Sequence, residues 1–205
     1  MSEEYERSTR PIAFYHEGPV HPYVHKMVAS VKEHYSHLIQ MTDQVTEQIE
    51  GTDELIRGDY GHMAYSRICH IRDYPHEELL ILDNDLLVKR QVDEVWDWDF
   101  DVALGIRPGL DDRNKYNSGV MFSRSHKFWV DCAEWFETQG KKTWDWGGEQ
   151  RSVNFVANNK KFKHKYKVCN LNCGVYNWAP PKNKNAKNDK AAIWHYKGGD
   201  RKKWM

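Results

Sequence analysis

Leu79-Leu80-Ile81-Leu82-Asp83-Asn84-Asp85-Leu86-Leu87-Val88 decides how this chain is read. Four aliphatic residues lead into Asp-Asn-Asp, and three follow. A run this short and this apolar is the pattern of a strand covered on both faces. Two carboxylates inside such a run need compensation, because an unpaired buried carboxylate is costly. They are expected at the strand's end, beside a cation, or both. An extended Asp-x-Asp turns both side chains to one side, where hard oxygen ligands can share a divalent ion. Asp83 and Asp85 are therefore candidate metal ligands. The 30 acidic residues of the chain make Asp-x-Asp common, so it is the apolar flanks that lift this one above a solvated strand end.

Strand and helix alternate around that run. Residues 11–16 predict a short strand, ended by Glu17-Gly18-Pro19, and Val24, Met27, Val28, Val31 and Tyr35 follow at helical spacing. Residues 37–43 predict a second strand, completing a βαβ opening. A looser polar stretch with Val45, Ile49, Leu55 and Ile56 as its apolar points leads to a helix over about 62–72, stopped by Tyr74-Pro75. Beyond the acidic run come a short helix at 92–96, a strand at 101–106 and a polar loop at 107–115 long enough to be functional. Next are a strand at 116–123, opening on Asn117-Ser118-Gly119, and an amphipathic helix at 128–139. A further helix opens at Trp146-Gly147-Gly148-Glu149-Gln150, a strand-like stretch covers 166–171, and 180–190 reads as a mobile loop. The pattern predicts a flexible tail at 1–10 and one α/β domain over 11–205, with a mostly parallel central sheet and helices on both faces. Ligands of such sheets bind at the C-terminal strand edge. Tyr15-His16-Glu17, Asp43 and Asp83-Asn84-Asp85 would gather there.

The charges balance at 30 and 30, but residues 141–205 hold 16 Lys and Arg against 4 Asp and Glu. That surplus of 12 positive charges suggests a basic face for a polyanion or for phosphates. Four cysteines, Cys69, Cys132, Cys169 and Cys173, are too few for a disulfide scaffold and are expected to be reduced thiols. The first ten residues lack an apolar signal core, and no stretch reaches membrane-span length, so a soluble cytoplasmic protein is expected.

The closing stretch, Ile193-Trp194-His195-Tyr196-Lys197-Gly198-Gly199-Asp200-Arg201-Lys202-Lys203-Trp204, adds an imidazole, two glycines and several cations. His195 could complete an Asp/Asp/His set suited to Mn²⁺ or Mg²⁺. Glycines permit close backbone approach, and the cations can neutralise phosphate oxygens. Glu149 reads either as a favourable charge in a first helical turn or, with Gln150, as a group beside a reacting centre.

In order and spacing, these stretches resemble the GT-A glycosyltransferases, most closely the glycogenin and galactosyltransferase type (family 8), over nearly the whole chain from Pro11 to Trp204. The resemblance implies metal-dependent transfer of a sugar from a nucleoside diphosphate sugar, with retention of configuration. It implies Asp83, Asp85 and His195 as metal ligands. Arg67 matches the family's Ala-x-x-Arg position that contacts the donor, and Tyr15 and Glu17 fall where the base binds. Asn84 and Ser118 join the donor-binding set. Gly198 with Lys197 and either Arg201 or Lys202 would hold the diphosphate, Asn117 would line the sugar site, and Gln150 would stand near the anomeric carbon. Glu149 replaces the family's Asp. The terminal motif differs from the family's His-x-x-Gly-x-x-Lys-Pro-Trp in being one residue longer and lacking Pro.

Charge development gives the same picture. Breaking a sugar–diphosphate bond leaves negative charge on phosphate, which cations stabilise, and positive charge on the sugar, to which Gln150 and Asn117 could offer oxygen dipoles. An inverting enzyme would need a base for the acceptor hydroxyl, with Glu149 or Asp112 as candidates. The basic last third makes a hydroxylated base in modified DNA a conceivable acceptor, beside a glycan or protein. A basic nucleic-acid-binding module without catalysis, or a metal-dependent phosphoryl hydrolase, are the competing readings.

Overall fold

The computed structural model describes residues 6–140, 144–145, 147–162, 164–181, 187–203 and 205. In chain order the elements are β1 (Ile12–Tyr15), α1 (Pro22–Lys32), β2 (Leu38–Thr42), β3 (Glu54–Arg57), α2 (Met63–Asp73), β4 (Leu79–Leu82) and β5 (Leu86–Val88). A 3₁₀ turn at Asp93–Asp97 leads to β6 (Val102–Ile106), β7 (Tyr116–Ser123), α3 (His126–Thr138), α4 (Gly148–Asn158), β8 (Val168–Asn172), α5 (Cys173–Tyr176), β9 (Ile193–His195) and α6 (Gly199–Lys202). Seven strands form one sheet in the order β3-β2-β1-β4-β7-β6-β8. β3, β2, β1 and β4 are mutually parallel, β7 is antiparallel to β4 and β6, and β8 is parallel to β6. The mostly parallel α/β sheet is the one the alternation predicts.

Side chains of a strand point alternately to opposite faces, and both faces here are apolar. Ile12, Phe14, Leu80, Leu82 and Phe122 pack on one side with Val24, Met27, Val28 and Val31 of α1. Ala13, Leu79, Ile81, Leu104 and Met121 pack on the other with Ile68 and Ile71 of α2, Phe128 and Phe136 of α3, and Val153 of α4. This is why four consecutive aliphatic residues in β4 are all buried.

Three readings are corrected. The run at 79–88 is two strands rather than one: after Asp83 the chain bends through Asn84 and Asp85, and β5 leaves to pair with β9 in a separate two-stranded sheet. Residues 54–57 form the edge strand β3, whose single strand neighbour leaves it half-exposed and without a strong apolar signature. Residues 1–5 lie outside the described residues. The rest of the expected tail is held: Ser8 bridges to Tyr35, bonds the backbone of His34 and Ser36, and Arg10 pairs with Glu78. The loop read at 180–190 lies partly outside the described residues, as do Trp146 and Trp204. Among the described residues no helix is long and apolar enough to cross a membrane.

One irregularity positions the site. Leu104 of β6 pairs with Met121 of β7, but the next residue, Gly105, pairs with Asn117. Residues 118–120 thus form an excess on β7 without partners on β6. Such bulges re-aim side chains, and this one delivers Ser118 and Gly119 to the end of β4, where Asp83 N–H donates to Gly119 O at 2.9 Å.

Candidate active site

The acids and the histidine, 112 and 110 positions apart in the sequence, are joined by a ladder. β5 and β9 run antiparallel with Leu86 opposite His195, and Tyr196 N–H donates to Asp85 O at 2.8 Å. His195 Nε2 then lies 3.2 Å from Asp83 Oδ2 and 2.9 Å from Asp85 Oδ1. Each acid turns its other oxygen to a cation: Asp83 Oδ1 to Arg67 Nη1 at 2.5 Å, and Asp85 Oδ2 to Lys202 Nζ at 3.2 Å. One ligand atom from each of Asp83, Asp85 and His195 falls within 4.8 Å of the others, the only such set of three among the described residues. Two carboxylates and an imidazole suit Mn²⁺ or Mg²⁺. A Cβ at residue 119 would run into the His195 ring and come within 2.9 Å of Asp83 Oδ2, so only glycine leaves room for the set.

The charges explain each other. Burial alone would raise the Asp83 carboxyl, but Arg67 and His195 outweigh it and hold it below the usual carboxylate range. Burial would lower His195, and the two aspartates outweigh that and raise it. Burial lowers Lys197. Arg67 reaches across to α4, with Nη1 3.0 Å from Glu149 Oε2, and Nη2 donates to Ser118 O at 3.2 Å. Glu149 is buried, its Oε1 lacks a hydrogen-bond partner among the described residues, and desolvation pushes its carboxyl up to about 7 despite Arg67.

A cavity of about 180 Å³ lies over this set. Of the sequence candidates, Tyr15, Arg67, Asn84, Asn117, Ser118 and Glu149 line it, as do Gln150, Lys197, Lys202 and the three possible metal ligands. Three of the donor-side candidates do not line it. Glu17 is bonded by the Tyr15 hydroxyl at 2.8 Å, Gly198 caps α6 with φ +80°, and Arg201 Nη1 donates back to Lys197 O at 2.9 Å. Lys202, not Arg201, is thus the cation turned to the acids. Asp112 is exposed and lines a different groove, with Trp135 and Phe155. The oxygen of Asn117, expected to face a sugar, is taken by Gly119 N–H at 3.1 Å and Asn177 Nδ2 at 2.6 Å, while its Nδ2 donates to Gln150 Oε1 at 3.1 Å. Met63, Ala64 and Gly147 also line the cavity. Asn177, whose Oδ1 meets His195 Nδ1 at 2.8 Å, was not singled out in the sequence, where no local motif marks it.

No protein-family model matches the chain, and no curated protein does. Solved structures do. The galactosyltransferase LgtC, in complex with donor and acceptor sugar analogues, superposes with a TM-score of 0.64 at 16% identity, covering 92% of this chain and 87% of that one. The glycosyltransferase GlyE of Streptococcus pneumoniae TIGR4 gives 0.66 at 15% identity over 96% of this chain, which spans 60% of GlyE. The chain thus has the GT-A fold of these two glycosyltransferases.

Proposed function

We propose that the chain transfers a sugar from a nucleoside diphosphate sugar to an acceptor hydroxyl, with retention at the anomeric carbon. The observation that carries this is the meeting of Asp83, Asp85 and His195 in a cavity that also holds Arg67, Lys197 and Lys202, in this fold. A divalent ion held by the first three, Mn²⁺ or Mg²⁺, would supply Lewis-acid stabilisation to the departing diphosphate. Lys197 and Lys202 bring fixed positive charge to the same oxygens. Arg67 clamps Asp83 and Glu149 in place, so that it organises the site from below. Tyr15, at the end of β1, faces the nucleoside, and Gln150, on the first turn of α4, faces the sugar.

For the acceptor we take a hydroxylated base in DNA first. The surplus of basic residues after residue 140 supports it, and such a base would have to be flipped out of the duplex. The test is a panel of nucleotide sugars with Mn²⁺, read by thermal shift and by mass spectrometry of hydroxylated DNA, glycan and peptide acceptors. One nucleotide at about 100 times its Kd should stabilise the protein by about 2.7 kcal/mol, only with metal, and Asp85→Asn should abolish the effect. Phosphate release with no sugar transferred would replace this reading with hydrolysis. DNA binding with no nucleotide effect would replace it with a binding module.

A further inference from the structure

The backbone N–H of Gly119 can only donate. It lies 3.1 Å from a side-chain atom of Asn117, which must therefore be the oxygen. That oxygen is 2.6 Å from the side chain of Asn177, and two oxygens would repel at that distance, so Asn177 presents Nδ2 to it. The remaining atom of the Asn177 amide is its oxygen, 2.8 Å from His195 Nδ1. An amide oxygen only accepts, so Nδ1 carries a proton. When the ring is neutral its lone pair is on Nε2, the nitrogen that faces Asp83 and Asp85. No member of this chain can flip without breaking the next contact, and Asn117, Asn177 and His195 are all buried. One backbone N–H thus settles, three side chains away, that Nδ1 keeps its proton; Nε2–H donates to the two carboxylates here, and Nε2 is the nitrogen that a cation could take in place of that proton.

We propose that Asn177 is the positioning residue of the cation site: it holds His195 in the Nδ1–H form so that Nε2 serves as a ligand to a divalent cation beside Asp83 and Asp85. The ligand half of this inference rests on the metal-dependent function proposed above. The proton on Nδ1 does not.

Two measurements test it. Protein labelled with ¹⁵N-histidine is observed by NMR with and without Mg²⁺. His195 Nδ1 is expected to be protonated in both states, and a bare Nδ1 in either overturns the proposal. Mn²⁺ affinity is read from the EPR signal of the free ion in the wild type, Asn177→Leu and Asn177→Asp. Removing the partner of a ligating histidine weakens metal binding about 10- to 100-fold, and that loss is expected in Asn177→Leu, which keeps the bulk but offers His195 no acceptor. Aspartate keeps an acceptor for Nδ1–H and is expected to bind Mn²⁺ more tightly than leucine does. A side chain that merely filled space would tolerate leucine, so wild-type affinity in Asn177→Leu overturns the proposal, as does an Asn177→Asp variant that binds no better than Asn177→Leu. A wild type that binds no Mn²⁺ overturns the ligand role and the metal-dependent function together. One that binds Mn²⁺ yet transfers no sugar overturns only the function.

Discussion

Gly119 and Glu149 show how single residues set the site. Gly119→Ala places a methyl group against the His195 ring and near Asp83. It is expected to leave the far-UV circular dichroism unchanged and to weaken Mn²⁺ binding at least about tenfold, measured by calorimetry. Glu149 carries its cost in protonation. Burial raises it from 4.5 to about 7, so the folded state holds that proton more tightly than the unfolded state does. Its contribution is therefore favourable at low pH and fades as pH climbs from about 4.5 through 7. Glu149→Gln should gain up to about 3 kcal/mol over the wild type at pH 8 and little at pH 5, compared by urea unfolding. Equal differences at both pH values would refute it. Asp83, Asp85 and His195 were legible because their residue types and apolar flanks are unusual together. Asn177 was not, because its work consists of two hydrogen bonds to residues 60 positions before it and 18 after it.

At the scale of elements, the register of two short strands brings the two acids and the histidine together. β9 contributes Ile193 and His195 to the interior, with Ile193 fully buried opposite Val88. Ile193→Ala removes packing from that ladder and should cost about 2–5 kcal/mol by chemical denaturation. Mn²⁺ affinity should fall with it, since His195 reaches the acids only through β9. Unchanged affinity would show that His195 is held by something other than the ladder. The strands with long apolar runs and the amphipathic helices were readable from periodicity. The break inside 79–88 was not, because Leu79–Leu82 and Leu86–Val88 are equally apolar. What separates them is the partner each one finds, β1 and β7 for the first and β9 for the second. β3 was missed for the opposite reason, a pattern of two apolar residues between two charged ones.

Over the whole molecule, charge that looks segregated along the sequence is partly mixed by folding. Lys165, Lys167 and Lys202, from the basic last third, pair with Asp131, Asp99 and Asp85 of the acidic part. Fewer of these cations are left unpaired for a polyanion than the count of lysines implies. Duplex DNA affinity should still fall at least about tenfold between 50 and 200 mM salt if phosphates are contacted, as counterion release requires. A flat response in filter binding would remove DNA from the acceptors. The α/β architecture could be read from the alternation of elements, but this cross-pairing could not, because it depends on which loops the fold sets side by side.

The two-stranded β5–β9 ladder also orders events in time. On the ribosome, the acid-bearing turn emerges long before its imidazole, and the growing polypeptide can build most of the large sheet while the Asp/Asp/His set is still incomplete. Translation arrested short of residue 193 would leave two aspartates with no histidine to meet them. The nascent protein gains its Asp/Asp/His set only when β9 is laid against β5.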